Sequence, residues 1–109
     1  MGGAAAKSSA DAVGLDKSSS LAAENQLLQT AMAARQQGDP RRAAELAGEL
    51  VRHYPASPLV EEARVERMRA LAGAGGPVAA EGEARSYLTD YPKGFARHEA
   101  TRILGNLRR

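Results

Sequence analysis

A chain of 109 residues has room for one small domain. Its hydrophobic share is 43%, yet the aromatics are only three tyrosines and one phenylalanine. Many of the rest are alanines, so the core is expected to be thin, built from closely approaching helices. The net charge of +2 arises from 15 basic and 13 acidic residues interspersed along the chain. That pattern excludes the strong field of a nucleic-acid or anionic-membrane binder. Cysteine is absent, which excludes disulfides, thiolate metal sites and a cysteine nucleophile.

The opening Met1–Lys7 lacks the basic start and apolar centre of a secretory signal. Ala6 stands where a myristoylation pattern needs Ser or Thr. Residues 1–19 are Gly, Ala, Ser, Asp and Lys with a lone Val13 and Leu15. Such a stretch buries too little surface to offset its ordering entropy, so a flexible tail or linker is expected. The domain is then expected over residues 20–109, and the tail suggests a piece of a longer protein.

The first helix is expected to start at Ser20 as N-cap and to run through Leu27, Leu28, Ala31 and Met32 to Gly38. Asp39 caps the second, with Pro40 at its first position, where the missing N–H costs nothing. Ala43, Leu46, Ala47, Leu50, Val51 and Tyr54 follow the 3,4 spacing of one helical face. Pro55 ends it. Ser57-Pro58 opens a third helix to about Ala72, and Gly73-Ala74-Gly75-Gly76 breaks it. A fourth begins at Pro77 and stops before Tyr91-Pro92; a fifth runs from about Phe95 to Leu107. No segment has a period of two. The expectation is all-α.

Gly38, Pro40, Ala43, Ala47, Tyr54-Pro55 and Glu62-Ala63 recur 37 residues later as Gly75, Pro77, Ala80, Ala84, Tyr91-Pro92 and Glu99-Ala100. An offset of that size marks a repeat architecture. Two antiparallel helices per unit describe an α-solenoid: two repeats plus a C-terminal capping helix. The run Gly38 to Pro55 resembles the second half of a tetratricopeptide repeat. Ala31, Ala43 and Pro55, then Met68, Ala80 and Pro92, stand at that family's small-residue and proline positions. Met68 is larger than usual there, and Arg64 and Arg67 replace apolar residues of the usual stripe. The Tyr-Pro-x-Ser-Pro link resembles a bacterial subgroup that includes outer-membrane assembly lipoproteins and the Tol–Pal coordinator. The resemblance implies binding of other polypeptides, in or near a bacterial cell envelope.

Candidates for chemistry are few. His53 and His98 have no second ligand type four residues on along the same face. Glu45, Glu49, Glu62 and Glu66 stand near arginines at helical spacing and are expected to form surface ion pairs. The glycines before Pro77 lack the Lys-Ser/Thr of a phosphate loop and follow a helix, so they read as a turn. No catalytic, cofactor or metal site is expected, and no enzyme.

In such a solenoid the first helix of each unit lines the concave side. Asn25, Leu28, Met32, Arg35, Glu62, Val65, Arg69, Glu99, Arg102 and Asn106 are the residues the resemblance places there. The expected function is a protein–protein interaction scaffold that takes another protein or peptide, with no nucleic acid and no inserted membrane span. The alternative is a self-association module, a homo-oligomer formed through an apolar strip at Leu104 and Leu107.

Overall fold

The computed structural model describes residues 12–107, and the side chains of residues 20–105. Within these bounds the chain is all-α. Helices α1 (Ala12–Gln36), α2 (Pro40–His53), α3 (Val60–Gly73), α4 (Pro77–Asp90) and α5 (Arg97–Leu107) follow in order. Each packs against the next, and α1 also touches α3. The first nineteen residues, expected as a tail, fall outside the described side chains, and residues 1–11 outside the description altogether.

The 37-residue repeat holds bond for bond at the turns. Gly38 and Gly75 close α1 and α3 in the left-handed region, at φ 87° and 76°, where a β-carbon is strained and glycine is not. The next amide in each unit donates back to the preceding helix, Asp39 to Ala34 at 2.8 Å and Gly76 to Leu71 at 3.1 Å. Proline then starts each second helix. The Asp39 carboxylate accepts from the Arg42 N–H at 3.2 Å, as an N-cap does; Gly76 has no side chain to do so. Both second helices end on a tyrosine with nearly the same backbone, φ −132° at Tyr54 and −131° at Tyr91.

The packing repeats too. Ala43 and Ala80, Ala47 and Ala84, and Ala63 and Ala100 are all buried, and their lack of bulk lets the helix axes approach. Larger side chains fill what remains. Leu28 and Leu50 pack with Ala63 in the first unit. Val65, Met68 and Tyr87 pack with Ala84, Ala96 and Ala100 in the second. Each fully buried side chain of the Leu50 or Met68 kind stabilises the fold by roughly 1.5–3 kcal/mol. Met68 is fully buried.

Three boundaries differ from expectation. Helix α1 begins at Ala12, so Ser20 lies inside it and is no N-cap. Serine costs only a few tenths of a kcal/mol in a helix already nucleated, and the Ser20 hydroxyl donates to Glu24 one turn on. Helix α3 begins at Val60. Ser57 does accept a backbone N–H, from Leu59 at 3.0 Å, but in the turn before the helix. Helix α5 begins at Arg97, leaving Phe95 in the turn.

Arg64 and Arg67, out of place on an apolar stripe, bind α3 to its neighbours. Arg64 donates to Asp90 at 2.6 Å and to Ser86 at 2.7 Å, and its guanidinium lies 5.4 Å from the centre of the Tyr91 ring. Arg67 donates to Glu83 at 3.1 Å and to the Ala44 carbonyl at 3.0 Å. Guanidinium stems cover apolar surface while the heads stay paired. These ion pairs run between helices, whereas Arg42–Glu45 and Arg85–Glu81 run along one.

Candidate functional site

The first helices of the units stand side by side, clipped together by arginine–glutamate pairs. Arg35 of α1 binds Glu66 of α3. Arg69 of α3 meets Glu99 of α5 through two bonds of 2.9 Å. Glu66 is only 2% exposed, so its charge must be paired to be tolerated, and the surface pair expected for it is a buried one. The hydrogen bond from Arg69 holds the Glu99 carboxyl below its ordinary range, against partial burial and with help from the fields of Arg69, Arg102 and Arg35. Arg69 is correspondingly raised, first by that same bond.

This arrangement revises the expected binding residues. Leu28 and Val65 are core, and Met32 is half-buried against Leu28 and Leu50. They present little or nothing to a partner, because neighbouring helices cover the positions that the repeat pattern assigns to an open face. Arg35 and Arg69 are engaged with Glu66 and Glu99. Asn25, Glu62 and Arg102 are exposed. The Asn106 and Leu107 side chains lie outside the described residues. Leu104 is half-buried against the Val65, Met68 and Tyr87 cluster, so it belongs largely to the core margin.

The exposed apolar groups sit elsewhere, Val78 in the first turn of α4 among them. Leu21 is 46% exposed and Phe95 60%, and Pro58 is exposed as well. These three are one repeat position taken three times, since 37 residues separate each from the next. They make a row of repeat-equivalent positions, Leu21 within α1 and Pro58 and Phe95 in the turns before α3 and α5. Sequence reasoning missed the row, although the same 37-residue offset that revealed the glycines and tyrosines also relates Leu21, Pro58 and Phe95.

A cleft of about 620 Å³ opens in the first corner, lined by Leu21, Glu24, His53, Tyr54, Pro55 and Pro58 among others. Glu24 is 6% exposed. Its Oε2 accepts from Ser20; its Oε1 is buried and meets no donor among the described residues. A second cleft of about 540 Å³ lies over Arg52, Arg64, Arg67, Glu83 and Asp90, where opposite charges face one another. His53 and His98 are both exposed. No group of three or more His, Cys, Asp or Glu among the described residues is arranged to hold a metal. No described helix is long and apolar enough to cross a membrane.

The corresponding corner of the second unit is closed by a phenol. Tyr87 donates to Glu61 at 2.7 Å and accepts from the Ala96 N–H at 3.0 Å. Burial raises its pKa most, and the Glu61 bond and charge add to this while the Ala96 N–H pulls the other way. Glu24 and Glu61 are equivalent by the offset, as are Leu50 and Tyr87, and Ser57 and Gly94.

No protein-family model, curated protein or solved structure matches this chain.

Proposed function

We propose that this chain is a tetratricopeptide-like scaffold that binds another polypeptide, as a module of a larger bacterial cell-envelope protein. The envelope setting rests on the resemblance of the Tyr-Pro corners alone. The observation that carries the binding role is the row of Leu21, Pro58 and Phe95, apolar side chains held in solvent at one repeat position. Water-exposed apolar groups spaced along a rigid frame are what an extended chain covers with its own apolar side chains. The helix pairs provide that frame, and the arginine–glutamate clips hold the first helices in register without offering their charges.

The test is panning of a random peptide library on the immobilised chain, beside a Leu21→Ser/Phe95→Ser variant whose helicity is checked by circular dichroism. Peptides should be enriched on the parent chain and bind the variant at least about tenfold more weakly, given the area each side chain exposes. No enrichment, or equal binding to the variant, rejects the reading. Light scattering on the free chain should give a monomer. A dimer that the same variant dissolves transfers the row to self-association.

A further inference from the structure

The first corner divides between two serines what a single tyrosine does in the second, and leaves one carboxylate oxygen unserved. In the second unit Tyr87 serves two groups at once, the Glu61 carboxylate and the Ala96 N–H. In the first unit Leu50 replaces the tyrosine, and Ser57 takes over the N–H, now that of Leu59. Ser20 takes over the carboxylate, but at one oxygen alone, Oε2. Glu24 Oε1 is left buried beside an apolar cleft with no donor. A buried acceptor without a partner is costly and is relieved by any donor that reaches it.

We infer that the first-corner cleft is a receptor for a lysine side chain of a bound polypeptide, with Glu24 at its floor. This rests on the polypeptide-binding reading above and names the chemistry of one position in the bound chain. An ammonium fits better than a guanidinium. Ser20 already occupies Oε2, so a single carboxylate oxygen is free, which suits a point charge and not a two-pronged fork. The walls of Leu21, Tyr54, Pro55 and Pro58 are apolar and match the methylene stem of lysine. Oε1 is closed to water in the free chain, so docking shifts the Glu24 side chain to bring that oxygen to the cleft. Leu21 and Pro58 belong to the exposed row, so apolar neighbours of the lysine find contacts there.

The probe is an acetylated and amidated Ala-Leu-Lys-Leu-Ala peptide, with a twin carrying norleucine for lysine, titrated into isotope-labelled protein. The lysine peptide should shift the amides of Leu21, Glu24, Ala56 and Ser57, and the twin should bind about tenfold more weakly, as loss of a charged hydrogen bond requires. Glu24→Gln should erase the difference between peptides. Leu50→Tyr/Ser57→Gly copies the second unit into the first and satisfies Glu24 from within. It should lose the lysine preference while unfolding at a higher temperature, which also guards against a Glu24 variant that simply misfolds. Equal binding of both peptides, shifts elsewhere, or an undiminished lysine preference in the Leu50→Tyr/Ser57→Gly chain overturns the inference. If neither peptide binds while library peptides still bind through Leu21 and Phe95, the lysine site fails and the scaffold reading stands. If the library also returns nothing, both fail.

Discussion

The hydroxyl of Tyr87 occupies the space that a β-carbon on Gly94 would need. The two residues are therefore one choice, made differently in the first unit as Leu50 and Ser57. Gly94→Ser alone should displace the phenol from Glu61 and from the Ala96 N–H. The expected cost is about 1–3 kcal/mol, the usual penalty for buried polar groups left unpaired. For a domain of this size, each kcal/mol lowers the melting temperature by roughly 4–8 °C. Adding Tyr87→Leu should recover part of the loss, because the double change rebuilds the first unit's arrangement. Thermal melts of the two singles and the double give the coupling directly. Strict additivity would contradict the pairing.

Arg35 and Glu66 should show the asymmetry of a buried pair. Arg35→Met leaves the almost fully buried Glu66 without its donor. With Arg35 itself about a third exposed, a loss of about 2–3 kcal/mol is expected, somewhat under that of a fully buried pair. Arg35→Met/Glu66→Met should be close to the parent, since well-packed apolar substitutes often match such a pair. Urea unfolding of the three chains decides it, and a double variant as weak as the single counts against the account.

The Glu99 carboxyl titrates lower in the folded chain than unfolded, because Arg69 donates two bonds to its charged form. A depressed carboxyl contributes stability that is present above its unfolded pKa, near 4.3. That contribution is lost as pH falls through the folded value. Melting temperature should thus decline as pH is lowered below about 5, and Glu99→Gln should flatten part of this slope. The effect is modest, since both side chains keep partial contact with water. Tyr87 carries the opposite sign at the alkaline end. Its raised pKa means that stability present below pH about 10 is lost as pH rises toward the folded value, and Tyr87→Phe removes that limb.

Leu104 packs on the cluster of Val65, Met68 and Tyr87. Leu104→Asp should cost on the order of 2 kcal/mol through lost burial and a charge at the core margin. Circular dichroism should show an earlier melt of the monomer. An unchanged melt together with loss of a dimer would instead return Leu104 to an association surface.

Much of this architecture was legible from residues whose effect is local. Gly38 and Gly75 need a left-handed backbone, Pro40 and Pro77 tolerate only a helix start, and Ala43 and Ala80 permit close axes. Such constraints act within a few residues, so the 37-residue offset exposes them without coordinates. The start of α1 was not legible, because serine, though favoured at a cap, costs little inside a helix, and Ser20 found Glu24 instead. Which face of α1 and α3 stays open was decided only by tertiary packing. Periodicity identifies a stripe, but Leu28 and Val65 are covered because the neighbouring helices of this thin alanine-lined layer lie close enough to reach them. The pairing of Glu66, Glu99 and Glu61 with Arg35, Arg69 and Tyr87 likewise spans 26 to 31 residues. Contacts between chain-distant groups depend on where helices sit in space, and that is settled by the summed burial of all of them.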